Sequence, residues 1–161
     1  MDKVDKITEQ WNRERPDLNV GPMGLIGRLI RLSRHLDKGM DETFAEHGLN
    51  FASFDVLATL RRSGEPYRLS PSDLLATMMV TSGTMTNRID QLAKAGLVER
   101  IHNPEDGRSV IIALTKKGFA AIDGTVTAHV ETQARLTSAL SDQEFSDLNK
   151  LLGKYLSSFE D

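Results

Sequence analysis

The chain has 161 residues, 39% hydrophobic and 27% charged, and a net charge of −3, the proportions of an ordinary soluble globular protein with a proper core. It has no cysteine, which excludes disulfides, cysteine-based zinc sites and thiol redox sensing. No apolar run approaches the ~20 residues that cross a bilayer, and the opening MDKVDKITEQW lacks the apolar block of a signal peptide, so a cytoplasmic protein is expected.

Taken in order, Val4, Ile7 and Trp11 predict one apolar edge of a short helix over Asp2–Arg15, ended by Pro16. Pro22 suits the first position of a long helix, because its missing N–H costs nothing there. Met23, Ile26, Leu29, Ile30, Leu36, Met40 and Phe44 carry its apolar stripe to Gly48, about seven turns. Asn50 is the expected N-cap of a buried helix over Phe51–Arg62, whose narrow polar strip is Asp55, Thr59 and Arg62. Ser63–Leu69 reads as a loop with Gly64 and Pro66. Ser70-Pro71-Ser72-Asp73 is a compact helix start, with Ser70 as cap and an acid in the first turn; that helix is expected to run to about Met79.

The stretch from Thr81 to Leu114 follows. Thr81 or Ser82 is the expected N-cap of a helix reaching Ala95, with Met85, Ile89 and Leu92 at helical spacing and Gly96 as a left-handed stop. Leu97–Ile101 and Val110–Leu114 are β-prone runs around the turn Asn103-Pro104-Glu105-Asp106-Gly107, which predicts a hairpin. Two short helices joined by a tight turn, the second polar-faced and running into a charged hairpin, are the layout of a winged helix-turn-helix. Between Thr81 and Lys117 the basic residues Arg88, Lys94, Arg100, Arg108, Lys116 and Lys117 outnumber Asp90, Glu99, Glu105 and Asp106. That local excess bears on double-stranded DNA more directly than the total charge does.

Thr115 is expected to cap another long helix with the inner stripe Phe119, Ile122, Val126, His129, Gln133, Leu136 and Leu140. Ser141-Asp142-Gln143-Glu144 forms a capping box, and Phe145, Leu148, Leu152, Tyr155 and Phe159 recur at helical spacing to the end. The outer helices carry more apolar stripe than a monomeric winged helix needs, so they are expected to form a dimerisation layer. The expected fold is mainly α with a small β-wing, a winged helix-turn-helix between long N- and C-terminal dimerisation helices. Residues 1–21 form an extra helix and loop, 22–50 and 115–161 the dimerisation region, and 51–114 the DNA-binding domain.

With these elements placed, the chain resembles the MarR family of bacterial transcription regulators. The resemblance rests on VTSGTMTNRIDQLAKAGLVER, on the wing EDGRSVIIALTKKG and on FDVLATL, and it covers about Pro22 to Phe159. It implies an obligate homodimer and a wing arginine, here Arg108, that enters the minor groove. WNRERPDLN followed by GPMGLIGRLIRLSR further resembles the urate-responsive branch of PecS- and HucR-type regulators. That resemblance implies an anionic ligand such as urate or xanthine, held by Trp11, Asp55, Arg88 and Arg100.

The residues themselves permit more than one role. Ser82, Gly83, Thr84 and Asn87 offer small hydrogen-bonding groups and close approach for DNA readout; on an isolated helix they would be a solvated face. Ser72, at the start of the preceding helix, and Asp106, two residues before Arg108, complete the expected DNA-contacting set. Arg88 lies about 70° from the apolar centre of its helix, counting about 100° per residue, so it points sideways and inward. There it serves either a structural bridge to Asp55 or an anion. Trp11 is a packing anchor or a stacking platform, and Arg100 an exposed wing charge or a ligand group. His35, His47, His102 and His129 lack metal-ligand spacing, and neither a metal nor a cofactor is expected. A nucleophile–base pair and a phosphate-binding glycine loop are both missing, which sets an enzyme aside. The expected function is a ligand-responsive repressor binding a pseudo-palindromic operator as a homodimer. The alternative is a regulator of the same fold responding to another aromatic or carboxylate ligand, or to oxidation through methionine.

Overall fold

The computed structural model describes residues 1–79, 85–103, 105–107 and 109–160. It divides into two compact units, Met1–Gly39 and Met40–Asp161. No helix of the described residues is long and apolar enough to cross a membrane.

The first unit holds α1 (Lys3–Glu14) and most of α2 (Gly21–Glu46). Asp2 caps α1 by accepting from the Val4 and Asp5 amides at 2.7 and 3.0 Å, and Asp5 returns the bond to the Asp2 amide, a capping box. Arg28 of α2 grips both carboxylates, at 2.8 Å to Asp2, and so ties the start of α1 to α2. The pair of acids holds Arg28 firmly protonated, and Asp2 lies below the ordinary carboxylate range, first because it accepts from the Asp5 amide and next because Arg28 stands beside it. Val4 is buried beside Gly27, whereas Ile7 and Trp11, the rest of the expected edge, stay half exposed within this unit.

The second unit starts with the last residues of α2, which bury Thr43 and Phe44. Gly48, at φ 72°, turns the chain, and Asn50 then accepts from the Ser53 amide at 2.9 Å to cap α3 (Phe51–Arg62). Of the polar strip expected on α3, Asp55 and Thr59 are buried with Val56, Leu57 and Leu60, and Arg62 is exposed. Each is satisfied locally, Asp55 by the Met79 amide at 3.2 Å and Thr59 by Arg62 at 3.1 Å.

The expected loop over 63–69 contains a strand, β1 (Arg68–Leu69). It pairs antiparallel with β3 (Val110–Leu114), which pairs in turn with β2 (Val98–His102), giving a three-stranded sheet in the order β1-β3-β2. The helix-turn-helix is α4 (Pro71–Thr77), capped by Ser70 and two residues shorter than expected, and α5 (Met85–Lys94). The expected caps Thr81 and Ser82 lie outside the described residues.

Thr115 caps α6 (Lys116–Thr137), accepting from the Gly118 amide at 2.9 Å. The stripe of α6 differs from expectation, because Thr125 and Thr132 are buried while Gln133 is exposed. Both hydroxyls have partners: Thr132 bonds Thr43 of α2 at 2.8 Å, and Thr125 donates to the Ala121 carbonyl. The core gathers Phe44, Phe54, Val56, Leu57, Leu60, Leu74, Ile89, Leu92, Val98, Ile112 and Ile122 behind α5 and the sheet. α7 (Asp142–Ser157) has the expected Ser141–Glu144 capping box and buries none of its residues.

Candidate nucleic-acid interface and anion site

α5 is amphipathic. Ile89 and Leu92 are buried in the core, while Thr86, Asn87, Gln91 and Lys94 are exposed on the opposite side. Asn87 therefore lies where the sequence expected a readout residue, and Thr86 and Gln91 extend the same face. The helical wheel alone places those two there. Ser72 is exposed at the start of α4 and bonds Ser70 at 3.0 Å. Asp106 is exposed in the hairpin turn, where its carbonyl accepts from the Ser109 amide and hydroxyl at 3.0 Å. Ser82, Gly83, Thr84 and Arg108 lie outside the described residues.

Two basic groups around the helix-turn-helix act on backbone. Lys117 donates to the Ala95 carbonyl at 2.9 Å, at the C-terminal end of α5. Arg62 donates to the Thr77 carbonyl at the end of α4. A cation in these positions satisfies an orphan carbonyl and complements the helix dipole. Part of the local positive charge thus builds the motif.

Arg88 points inward, as its place on the wheel requires. Its Nη1 donates to Asn50 Oδ1, the cap of α3, at 3.2 Å, and its Nε is buried without a hydrogen-bond partner. A buried guanidinium N–H left unmatched is costly, and an anion is the group that would satisfy it. The expected bridge to Asp55 is replaced by this Asn50 contact: among the described residues no ion pair joins Arg88 to Asp55. Arg100 on β2 is exposed and pairs with Asp90 of α5 at 2.7 Å. Trp11, in the first unit, is 42% exposed. So the structure buries Asp55 and half-buries Arg88, while Arg100 is engaged by Asp90, a pairing that sequence spacing does not single out.

A family model described as the MarR family matches residues 47–109. The HTH-type transcriptional regulator PecS of Dickeya dadantii is 43% identical over 152 residues, spanning 94% of this chain and 92% of PecS. The chain belongs to the MarR family. The HTH-type transcriptional repressor YetL of Bacillus subtilis is 32% identical across 100% of this chain and 97% of its own length. Among solved structures, a MarR mutant from E. coli complexed with operator DNA superposes with a TM-score of 0.71 at 28% identity, covering 91% of this chain and 97% of that one.

This MarR-family protein is accordingly a DNA-binding regulator of transcription, with relatives named as regulators and not as enzymes. Membership accounts for the amphipathic α5 and the charged hairpin after it. The inward Arg88 calls for a separate explanation, because a base-reading arginine would point away from the core. Among the described residues no cluster of His, Asp and Glu has the arrangement of a metal site.

Proposed function

We propose that this regulator is a cytoplasmic homodimeric repressor that binds a pseudo-palindromic operator and is released by an anionic purine such as urate or xanthine. The observation that carries the ligand is Arg88, whose buried, unmatched Nε sits on the helix expected to read DNA. Asp55, 4% exposed on α3, is the second proposed ligand residue, with Arg100 of β2 as a third. Trp11 joins them on the strength of the family resemblance, as a ring for a planar ligand to stack on.

An anion near Asp55 repels that carboxylate unless one of the two is protonated or moves. Because Arg88 belongs to α5 and Arg100 to β2, relief of the repulsion would shift both DNA-contacting elements. A ligand that prefers the shifted state then weakens operator binding. The dimer is supported by α7, which exposes Phe145, Leu148, Leu151, Leu152, Tyr155 and Leu156 and buries nothing within its own chain. Repression is supported by the name of YetL.

Gel shifts on the intergenic DNA flanking the gene, with and without urate, test the proposal. Retarded complexes that dissolve on adding urate are expected. Complexes indifferent to urate, but released by another aromatic acid, would replace the ligand and keep the regulator.

A further inference from the structure

Asp90 is out of place on a DNA-facing helix. At about 100° per residue it falls inside the arc from Thr86 to Gln91, and its side chain is 46% exposed. A carboxylate there opposes the phosphates that supply most of the affinity for DNA. It is paired with Arg100 of β2 at 2.7 Å, so recognition helix and wing strand share an ion pair.

The connection between those two elements is a short turn at Gly96, which takes φ 73°, a conformation that suits glycine. This turn is clamped to the start of α6. Three successive carbonyls are held there: Ala95 by Lys117 at 2.9 Å, Gly96 by the Thr115 hydroxyl at 2.6 Å and Leu97 by the Thr115 amide at 3.2 Å. With the vertex fixed, the coordinate left between α5 and β2 is the angle at which they diverge. Leu92 of α5 and Val98 of β2 both belong to the core, whose apolar packing is non-directional. The Asp90–Arg100 pair adds a directional tie, six residues before the glycine and four after it.

We propose that the Asp90–Arg100 pair is a strut setting the angle between recognition helix and wing, and that an anion drawing on Arg100 weakens operator binding by breaking it. The first half rests on the exposed face of α5 meeting DNA, and the second on the ligand reading above. Both residues are positioning residues here: each acts through the elements it joins.

Operator affinity of wild type, Asp90→Asn, Arg100→Gln and the double variant tests the strut, with thermal unfolding of each as the check on folding. A strut predicts that Asp90→Asn weakens operator binding about two- to fivefold, the range of an exposed ion pair, although it removes a negative charge from the DNA face. It also predicts a double variant no weaker than Arg100→Gln alone, a non-additive cycle. Reversal of the pair, Asp90→Lys with Arg100→Glu, should recover part of the loss. Tighter binding by Asp90→Asn with additive effects would mean that the two charges act on DNA separately, and would overturn the strut. A wild type that binds no flanking DNA would overturn the proposed function as well. For the second half, urate should release Asp90→Asn from operator less than it releases wild type. Equal release would leave the urate response standing and remove the strut from it.

Discussion

Arg88 leaves α5 on its inward side and donates to Asn50, and this direction is what the ligand reading depends on. Its inward direction follows from its angle to Ile89 and Leu92, and the structure buries its Nε. Its partner does not follow, because Asn50 and Asp55 both lie on or beside α3 and only packing selects between them. Gly118 is a comparable case. A Cβ there would lie 1.8 Å from the Leu97 carbonyl oxygen, so the start of α6 requires glycine at that point. Gly118→Ala is expected to destabilise the protein by about 3 kcal/mol, measured by urea unfolding; a change within experimental error would mean that the α6–turn contact relaxes freely. His129 stacks on Phe44 at 5.0 Å and meets the Phe54 ring at a tilt at 4.8 Å, its Nδ1 buried and unpartnered. Burial among these rings lowers its pKa. The neutral form is favoured in the folded state, so as pH falls through the ordinary imidazole range the unfolded chain takes up its proton first and stability drops. The melting temperature should therefore fall more between pH 7.5 and 5.5 in wild type than in His129→Phe; equal slopes would show that His129 charges without cost.

At the scale of elements, the helices with caps were legible because each cap is a local hydrogen bond. Asn50, Ser70, Thr115 and Ser141 all cap as their residue types predict. The strand β1 was not legible. Two residues carry no alternation, and Arg68–Leu69 is a strand only because β3 lies beside it. The buried threonines of α6 escaped for a similar reason: the Thr132 hydroxyl is admitted to the interior by Thr43, which is 89 positions away. The hairpin was legible to within a residue at β2, since turn residues and β-prone runs are both local signals. Arg108, proposed as the minor-groove residue of this wing, gives the element its test. Arg108→Ala should weaken operator binding and lower the slope of log affinity against log salt by about 0.9 if one phosphate contact is lost, with urate affinity unchanged. Unchanged affinity and slope together would place Arg108 off the DNA.

For the whole molecule, the proposal above has two copies reading one operator and a ligand changing how they do so. One recognition helix per chain and the exposed apolar face of α7 predict a dimer in solution and a footprint over two half-sites about 10 bp apart. A monomer in sedimentation that protects a single half-site would contradict this. Ligand and operator must also be linked reciprocally: whatever factor urate takes from DNA affinity, DNA takes from urate affinity. Trp11 is the only tryptophan, so a ligand stacking on it as proposed would be read in its emission without background from other indoles. The most direct measurement is a urate titration followed by Trp11 fluorescence, with and without saturating operator DNA. The expected result is a quench whose midpoint moves to higher urate when DNA is present, by roughly five- to 150-fold for typical coupling. Emission indifferent to urate, or a midpoint unmoved by DNA, would contradict it.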